Sequence, residues 1–226
     1  SRGSGRVAVN GPDRDLVLAL VVLVVGTVGL SFLVGALSPA TWIARAFGKD
    51  VSHSGSGNPG ATNAGRVLGV KWGVLVGVLD VLKGFVPCWL ALRAGGPALA
   101  ALAAVAVVLG HMFSPFLRGR GGKGVATTLG ALLAVTPWVA LVALVAFAVF
   151  VGMTRRVGEA SVGTCVVLVL AGALALAGVI DRVGGLRLVD PPWLGLYVIA
   201  LGLLVLARHR RNIEAGWRRR RAFPRP

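Results

Sequence analysis

Apolar runs of roughly 20 residues recur along this chain, each long enough to cross a bilayer as a helix. A water-soluble domain can bury one or two such runs, but not most of its length. Of the 226 residues, 56% are hydrophobic and 14% charged, whereas soluble domains carry about 25% charged residues. In hydrocarbon a helix is the form in which one segment satisfies its own backbone, so the runs at 16–37, 72–92, 98–117, 161–180 and 193–207 are expected to be membrane helices. The first is too long for a signal-peptide core and has no small-residue cleavage site after it, so it reads as a retained span.

The stretch 124–153 is too long for one span and too short for two full ones. Thr136-Pro137 divides it, because the residue before proline avoids the helical region. Two short central helices joined at 136–138 are expected, making about seven transmembrane helices. Charge supports that count. The net charge is +16, and the basic residues lie between apolar runs, where they set topology rather than bind nucleic acid. Seven spans place Arg45, Lys49, Arg66, Lys71, Arg118, Arg120, Lys123, Arg155, Arg156 and the arginines from Arg208 onward on one side. Arg2, Arg6, Arg14, Arg93, Arg182 and Arg187 fall on the other. The expected fold is an all-α polytopic membrane protein, N-terminus outside and C-terminus cytoplasmic. It divides into a polar N-terminal segment (1–15), a single transmembrane domain (16–209) and a basic cytoplasmic tail (210–226). Cys88 and Cys165 have neither metal nor disulfide spacing and are expected in the core.

Three inner segments carry more chemistry than a linker needs. The first is SGSGNPGATN at 54–63, followed by Arg66. Its glycines let several N–H groups point into one concavity that holds an anion. Ser56, Asn58, Thr62 and Asn63 add side-chain donors, and Arg66 adds a fork for phosphate. The second, RGRGGKGVATT at 118–128, enters a helix at Gly124, where the N-terminal amides favour an anion. It is not a Walker A loop, since Gly124 stands where that motif needs Ser or Thr after Lys123. The third is HRRNIE at 209–214; the spacing of His209 and Glu214 imitates a His–acid acyltransferase motif by chance. Within the spans, Asp80 and Lys83 share a helical face and are expected to neutralise each other. His111 is expected as a hydrogen-bonded packing residue.

Taken in order, GSGNPGATNAGRVLG, DVLKGFVP, GHMFSPFLRGRGGKGVAT and the final His-x-x-Asn-Ile resemble the bacterial acyl-phosphate:glycerol-3-phosphate acyltransferase family (PlsY), from Gly35 to Ile213. The resemblance implies a multi-pass enzyme of the bacterial cytoplasmic (inner) membrane with its site facing the cytoplasm. The family moves a fatty acyl group from acyl phosphate to the sn-1 hydroxyl of glycerol 3-phosphate, giving lysophosphatidic acid and phosphate. It implies no metal or other cofactor, no nucleic acid and no obligate protein partner; its partners are the two substrates and membrane lipid. Carried over by position, Ser56, Arg66, Lys123, His209 and Asn212 are the expected catalytic residues. Asn58, Thr62, Asn63, Gly121, Gly122, Gly124, Thr127 and Ser161 are the expected substrate-binding residues. A substrate phosphate is expected to accept the hydroxyl proton, in keeping with a chain that has no Ser-His-Asp arrangement.

The chain departs from the family at two places. The third motif continues with Ala215, Gly216 and Arg221 where the family has Arg, Leu and Glu. The loop after 153 reads TRRVG, so Gly158 stands at the family's first serine and only Ser161 is kept. These losses raise an alternative, a non-catalytic relative that binds anionic lipid or acyl phosphate. An anion transporter would need polar residues through the depth of the bilayer, whereas here they gather at one face.

Overall fold

The computed structural model describes residues 14–179, 189–210, 212–214 and 217–218. Arg2, Arg6, Arg182, Arg187, Arg211, Arg219, Arg220, Arg221 and Arg225, named in the topology argument, lie outside the described residues, as do Ala215 and Gly216. Every regular element among those described is a helix.

The first apolar run forms α1 (Arg14–Ala36). It ends before Ser38-Pro39, where Ser38 is extended at φ −117°, ψ 90°, as a residue preceding proline prefers. Ser38 then caps α2 (Pro39–Ala46): its Oγ accepts the Thr41 N–H at 3.4 Å, and Pro39 occupies the first turn, where no donor is needed. No helix is expected here from the sequence, because eight residues of mixed polarity carry too little periodicity to register. Ala40 and Ala44 face inward, while Trp42 and Arg45 stay exposed, the pattern of a helix lying along an interface. A turn closed by Asp50, which accepts the Ser52 N–H at 2.8 Å and pairs with His53 at 2.7 Å, leads to α3 (Ala61–Leu68).

The helical run α4 (Val70–Met112) is two arms, not one rod: Gly95 and Gly96 leave the helical region, Gly96 at φ 73°. On a straight helix Asp80 and His111 would stand ~45 Å apart, yet Asp80 Oδ1 and His111 Nδ1 are 3.7 Å apart. The chain has therefore reversed at Gly95-Gly96, and the arms 70–94 and 97–112 form a hairpin. After it come α5 (Val125–Val135), α6 (Pro137–Thr154), α7 (Val157–Leu176) and α8 (Gly195–Arg208). The break between α5 and α6 falls at Thr136, as the proline predicts. Only α5 is short, however: its 11 residues span ~16 Å, while α6 has 18 and is long enough to cross. The shortening comes from the preceding loop, which folds back onto Met112 and lets the helix start only after Gly124, at φ 83°.

Four helical stretches among the described residues have the length and apolarity of a bilayer span: Arg14–Ala46, Val70–Leu117, Pro137–Thr154 and Val157–Leu176. The helices meet through small residues, as membrane helices do when packing rather than water drives association. A Cβ on Gly84 would lie 2.1 Å from the Thr127 carbonyl oxygen, and one on Gly130 2.0 Å from that of Val81, so α5 rides directly on the first arm. Gly35 and Gly110 bring α1 equally close to the second arm. Two side chains bond the last carbonyls of that first segment: Ser114 Oγ donates to Ala36 O at 2.6 Å and Lys83 Nζ to Leu37 O at 2.7 Å. Lys83 also pairs with Asp80 at 2.8 Å, so these two intramembrane charges neutralise each other as expected. Both cysteines are buried in the core.

Candidate active site

Three helices begin at one cavity of about 440 Å³. Its wall includes Gly60, Ala61 and Thr62 at the start of α3, Gly124, Val125 and Ala126 at the start of α5, and Val157 and Gly158 at the start of α7. Each such end presents N–H groups without intrahelical partners and the positive end of a dipole. Farther along the same helices its wall is apolar, with Leu129 and Leu132 of α5, Leu144 and Phe147 of α6 and Leu168 of α7. One end suits an anion, the other hydrocarbon.

Of the residues singled out in the sequence, Ser56, Asn58, Thr62, Asn63, Arg66, Lys123, Gly124, Ser161, His209 and Asn212 all line this cavity. Gly121, Gly122 and Thr127 do not. Residues as far apart as Ser56 and Asn212 are thus gathered because α3, the loop between Met112 and α5, α7 and the end of α8 meet at this cavity.

The side chains there divide by what they touch. Asn63 is 1% exposed; its amide oxygen accepts the Ser56 N–H at 2.8 Å, and its nitrogen donates to Val51 O and Ser54 O, each at 2.9 Å. Its bonds shape the 51–63 loop from inside. Gly121 and Gly122 also act through backbone: their N–H groups donate to Met112 O and His111 O, both at 3.1 Å, and their carbonyls accept from Arg208 at 2.9 and 3.3 Å. A Cβ on Gly122 would meet His111 Nε2 at 2.2 Å, so the loop needs glycine for close approach rather than for an amide nest. Arg208, which lies 5.3 Å over the Phe113 ring, is a brace, although in the sequence it stands out only as a topological charge.

Lys123 donates to Asn212 Oδ1. Burial, then the nearby Arg66 and Arg208, hold its ammonium pKa below the usual lysine value. Cations brought together in this way repel one another, an arrangement that an anion between them relieves. His209, 2% exposed, has Nδ1 2.8 Å from Val205 O; a carbonyl only accepts, so Nδ1 carries the proton and Nε2 is the acceptor. Burial pushes its pKa down to about 4, with the Val205 bond opposing and Lys123 adding to the shift. The ring is neutral at pH 7. Gly158 faces Asn212: a Cβ there would sit 1.9 Å from Asn212 Nδ2, so the space of the serine missing at this position is taken by the amide that meets Lys123. Glu214, by contrast, pairs with Arg210 at 2.9 Å and does not line the cavity, in line with its spacing to His209 being accidental.

Asp80, His111 and Thr128 also line the cavity, and none is among the residues singled out as the site. Lys83 explains Asp80, and a lone helix histidine carries no signal of its own. Which of two adjacent threonines faces inward depends on the rotation of an 11-residue helix.

These features describe an integral membrane protein with a cavity where three helix N-termini, Arg66 and Lys123 meet apolar side chains. A model of the glycerol-3-phosphate acyltransferase family matches residues 25–219. Glycerol-3-phosphate acyltransferase 1 of Deinococcus radiodurans is 42% identical over 195 residues, covering 84% of this chain and 92% of that protein. The Anaeromyxobacter dehalogenans glycerol-3-phosphate acyltransferase is 43% identical over 193 residues, covering 83% and 90%. The crystal structure of PlsY (YgiH), an integral membrane glycerol 3-phosphate acyltransferase, in its glycerol 3-phosphate form is similar at a TM-score of 0.76 and 36% identity, over 87% of this chain and 93% of that one. Its lysophosphatidic acid form gives 0.75. This chain belongs to the glycerol-3-phosphate acyltransferase family.

Proposed function

We propose that this protein transfers a fatty acyl group from acyl phosphate to the sn-1 hydroxyl of glycerol 3-phosphate, releasing lysophosphatidic acid and inorganic phosphate. One observation carries the reading: three helix N-termini, Arg66 and Lys123 converge on a cavity whose other end is apolar. Such a cavity suits a pair of phosphate-bearing substrates, one of them with an acyl chain. An acyl phosphate is a mixed anhydride and already activated, so the chemistry needs alignment and charge more than a covalent nucleophile.

In this mechanism the glycerol hydroxyl oxygen attacks the acyl carbonyl carbon, the bond from that carbon to the phosphate oxygen breaks, and the proton leaves with the departing phosphate. Arg66 and Lys123, helped by Ser56 and Asn58, hold phosphate oxygens and take up the leaving-group charge. The neutral His209 offers Nε2 to the attacking hydroxyl and orients it. Asn212 keeps Lys123 aimed. Thr62, Ser161 and Gly124 contact the acceptor, while Asn63, Gly121, Gly122 and Thr127 act by shaping the walls. The acyl chain lies between α5, α6 and α7 along Leu132, Leu144 and Phe147.

The topology proposed with it is a single membrane domain over 16–209 that crosses seven times, the two arms of α4 counting separately. The N-terminus is outside, and the site opens to the cytoplasm of a bacterial inner membrane. The side of the bilayer follows from the basic residues at that level, Arg45, Arg66, Arg118, Arg120, Lys123, Arg155, Arg156 and Arg210, under the positive-inside rule.

The test is phosphate release from palmitoyl phosphate by the purified protein, with and without glycerol 3-phosphate. Release that depends on the acceptor, with lysophosphatidic acid formed in equal amount, is the expected result. Acceptor-independent release, or none, would refute the transfer.

A further inference from the structure

The cavity is not basic throughout. Asp80 is the one carboxylate among its described lining residues, is 2% exposed, and pairs with Lys83 and lies beside His111 rather than pairing with Arg66 or Lys123. Lys83 does not line this cavity. It reaches the other way, to the Leu37 carbonyl and an apolar groove beside Trp42, so the ion pair forms a wall and Asp80 is its cavity side. His111 Nδ1 stands 3.7 Å from Asp80 Oδ1, too far for a hydrogen bond and near enough for one hydroxyl oxygen to reach both.

Thr128 completes the group. It is 4% exposed and lines the cavity, yet its Oγ1 has no hydrogen-bond partner. Buried hydroxyls without partners are uncommon and unfavourable. Helical threonines and serines usually bond the carbonyl one turn back, as Ser161 does to Val157 O and Thr164 to Ala160 O; Thr128 does not. It sits one turn after Gly124, the residue that packs against Val108 and Met112 of the second arm, the arm that carries His111. Thr127 Oγ1 is also unpartnered, but it does not line the cavity.

A carboxylate repels phosphate and accepts a hydroxyl proton. A threonine and an imidazole complete the bonds of that same hydroxyl. We propose that Asp80, His111 and Thr128 form a hydroxyl-recognition subsite for a polyol phosphate, holding the acceptor's secondary hydroxyl while Thr62, Ser161 and Gly124 contact its phosphate end and Arg66 and Lys123 hold the leaving group. This rests on the acyl-transfer reading and adds the device that leaves the primary hydroxyl facing the acyl carbonyl.

The experiment compares glycerol 3-phosphate with 3-hydroxypropyl phosphate, which lacks only the secondary hydroxyl, at fixed palmitoyl phosphate. The wild-type protein should favour glycerol 3-phosphate by about tenfold or more in kcat/KM, since a site built for a hydroxyl rejects the analogue without it. Thr128→Val should remove about tenfold for glycerol 3-phosphate and about twofold or less for the analogue, and Thr128→Ser should restore the difference. Equal use of both acceptors by the wild-type protein, or an equal loss with both in Thr128→Val, overturns the subsite. Should the wild-type protein release no phosphate with either acceptor, the transfer reading fails instead. Calorimetric affinities for the two compounds then decide the subsite alone, and equal values overturn it.

Discussion

Replacing Gly158 with alanine separates stability from function at a single atom. Gly158 lies in the first turn of α7, where alanine is neutral or stabilising by at most about 1 kcal/mol. The added Cβ would be 1.9 Å from Asn212 Nδ2, while ordinary contact begins at 3.4 Å. The amide must therefore retreat by about 1.5 Å. Asn212 ends a flexible side chain and can move without disturbing the backbone, so the fold tolerates the change. The bond from Lys123 to Asn212 does not survive it, and the ammonium loses its aim. Misplacement of a catalytic group by ~1 Å costs about 10²-fold, near 2.7 kcal/mol in the barrier. Purified Gly158→Ala is expected to keep its Tm within a few degrees and to lose about 10²-fold in kcat/KM for glycerol 3-phosphate. Wild-type kcat/KM in a folded Gly158→Ala protein would refute the Lys123–Asn212 positioning argument.

Lys123→Arg should move the alkaline limb of the pH–rate profile upward. The lysine must be protonated to hold phosphate, and its pKa is lowered by burial and by Arg66 and Arg208, whereas a guanidinium stays charged; an unmoved limb would assign it elsewhere. His209 should show no imidazole titration near pH 6.5 by NMR, because its pKa lies at about 4. Its neutral form is favoured by the fold, so its contribution to stability is full above pH 6.5 and declines as pH falls through 4. A resonance that titrates near 6.5 would contradict the buried Nδ1–H assignment. Gly84→Ala should lower thermal stability by about 1–3 kcal/mol or more, since its Cβ would lie 2.1 Å from a backbone oxygen of α5, and detergent melting curves read this directly.

What the sequence carries and what it conceals differ in physical kind. The α5–α6 break is legible because Pro137 acts through its own covalent geometry. The turn at Gly95-Gly96-Pro97 is likewise local, and the expected spans on either side of it differ from the arms mainly at their ends. The cavity-lining residues of the three inner segments are legible as donors and cations placed where an apolar run stops. The roles that depend on approach between helices are not. Gly121 and Gly122 read as an amide nest, yet their N–H groups bond Met112 and His111. Asn63 reads as a ligand and turns its amide onto the loop's own backbone. Thr127 and Thr128 are adjacent, and only the packing of α5 on the first arm of α4 decides that Thr128 faces the cavity. Arg208 shows the same limit: one more arginine at a span end in the sequence, it holds both glycine carbonyls of the Lys123 loop in the fold.

In the proposed reaction the cationic pair at the meeting of α3 and α5 serves the transfer, rather than merely attracting lipid headgroups. Acceptor-dependent phosphate release by purified Arg66→Ala and Lys123→Ala, each compared with the wild-type protein in the same detergent, tests it most directly. Both variants should reach the membrane at normal levels and keep less than about 1% of the wild-type kcat/KM, as the loss of charge stabilisation worth about 3 kcal/mol requires. Full activity in both would contradict it.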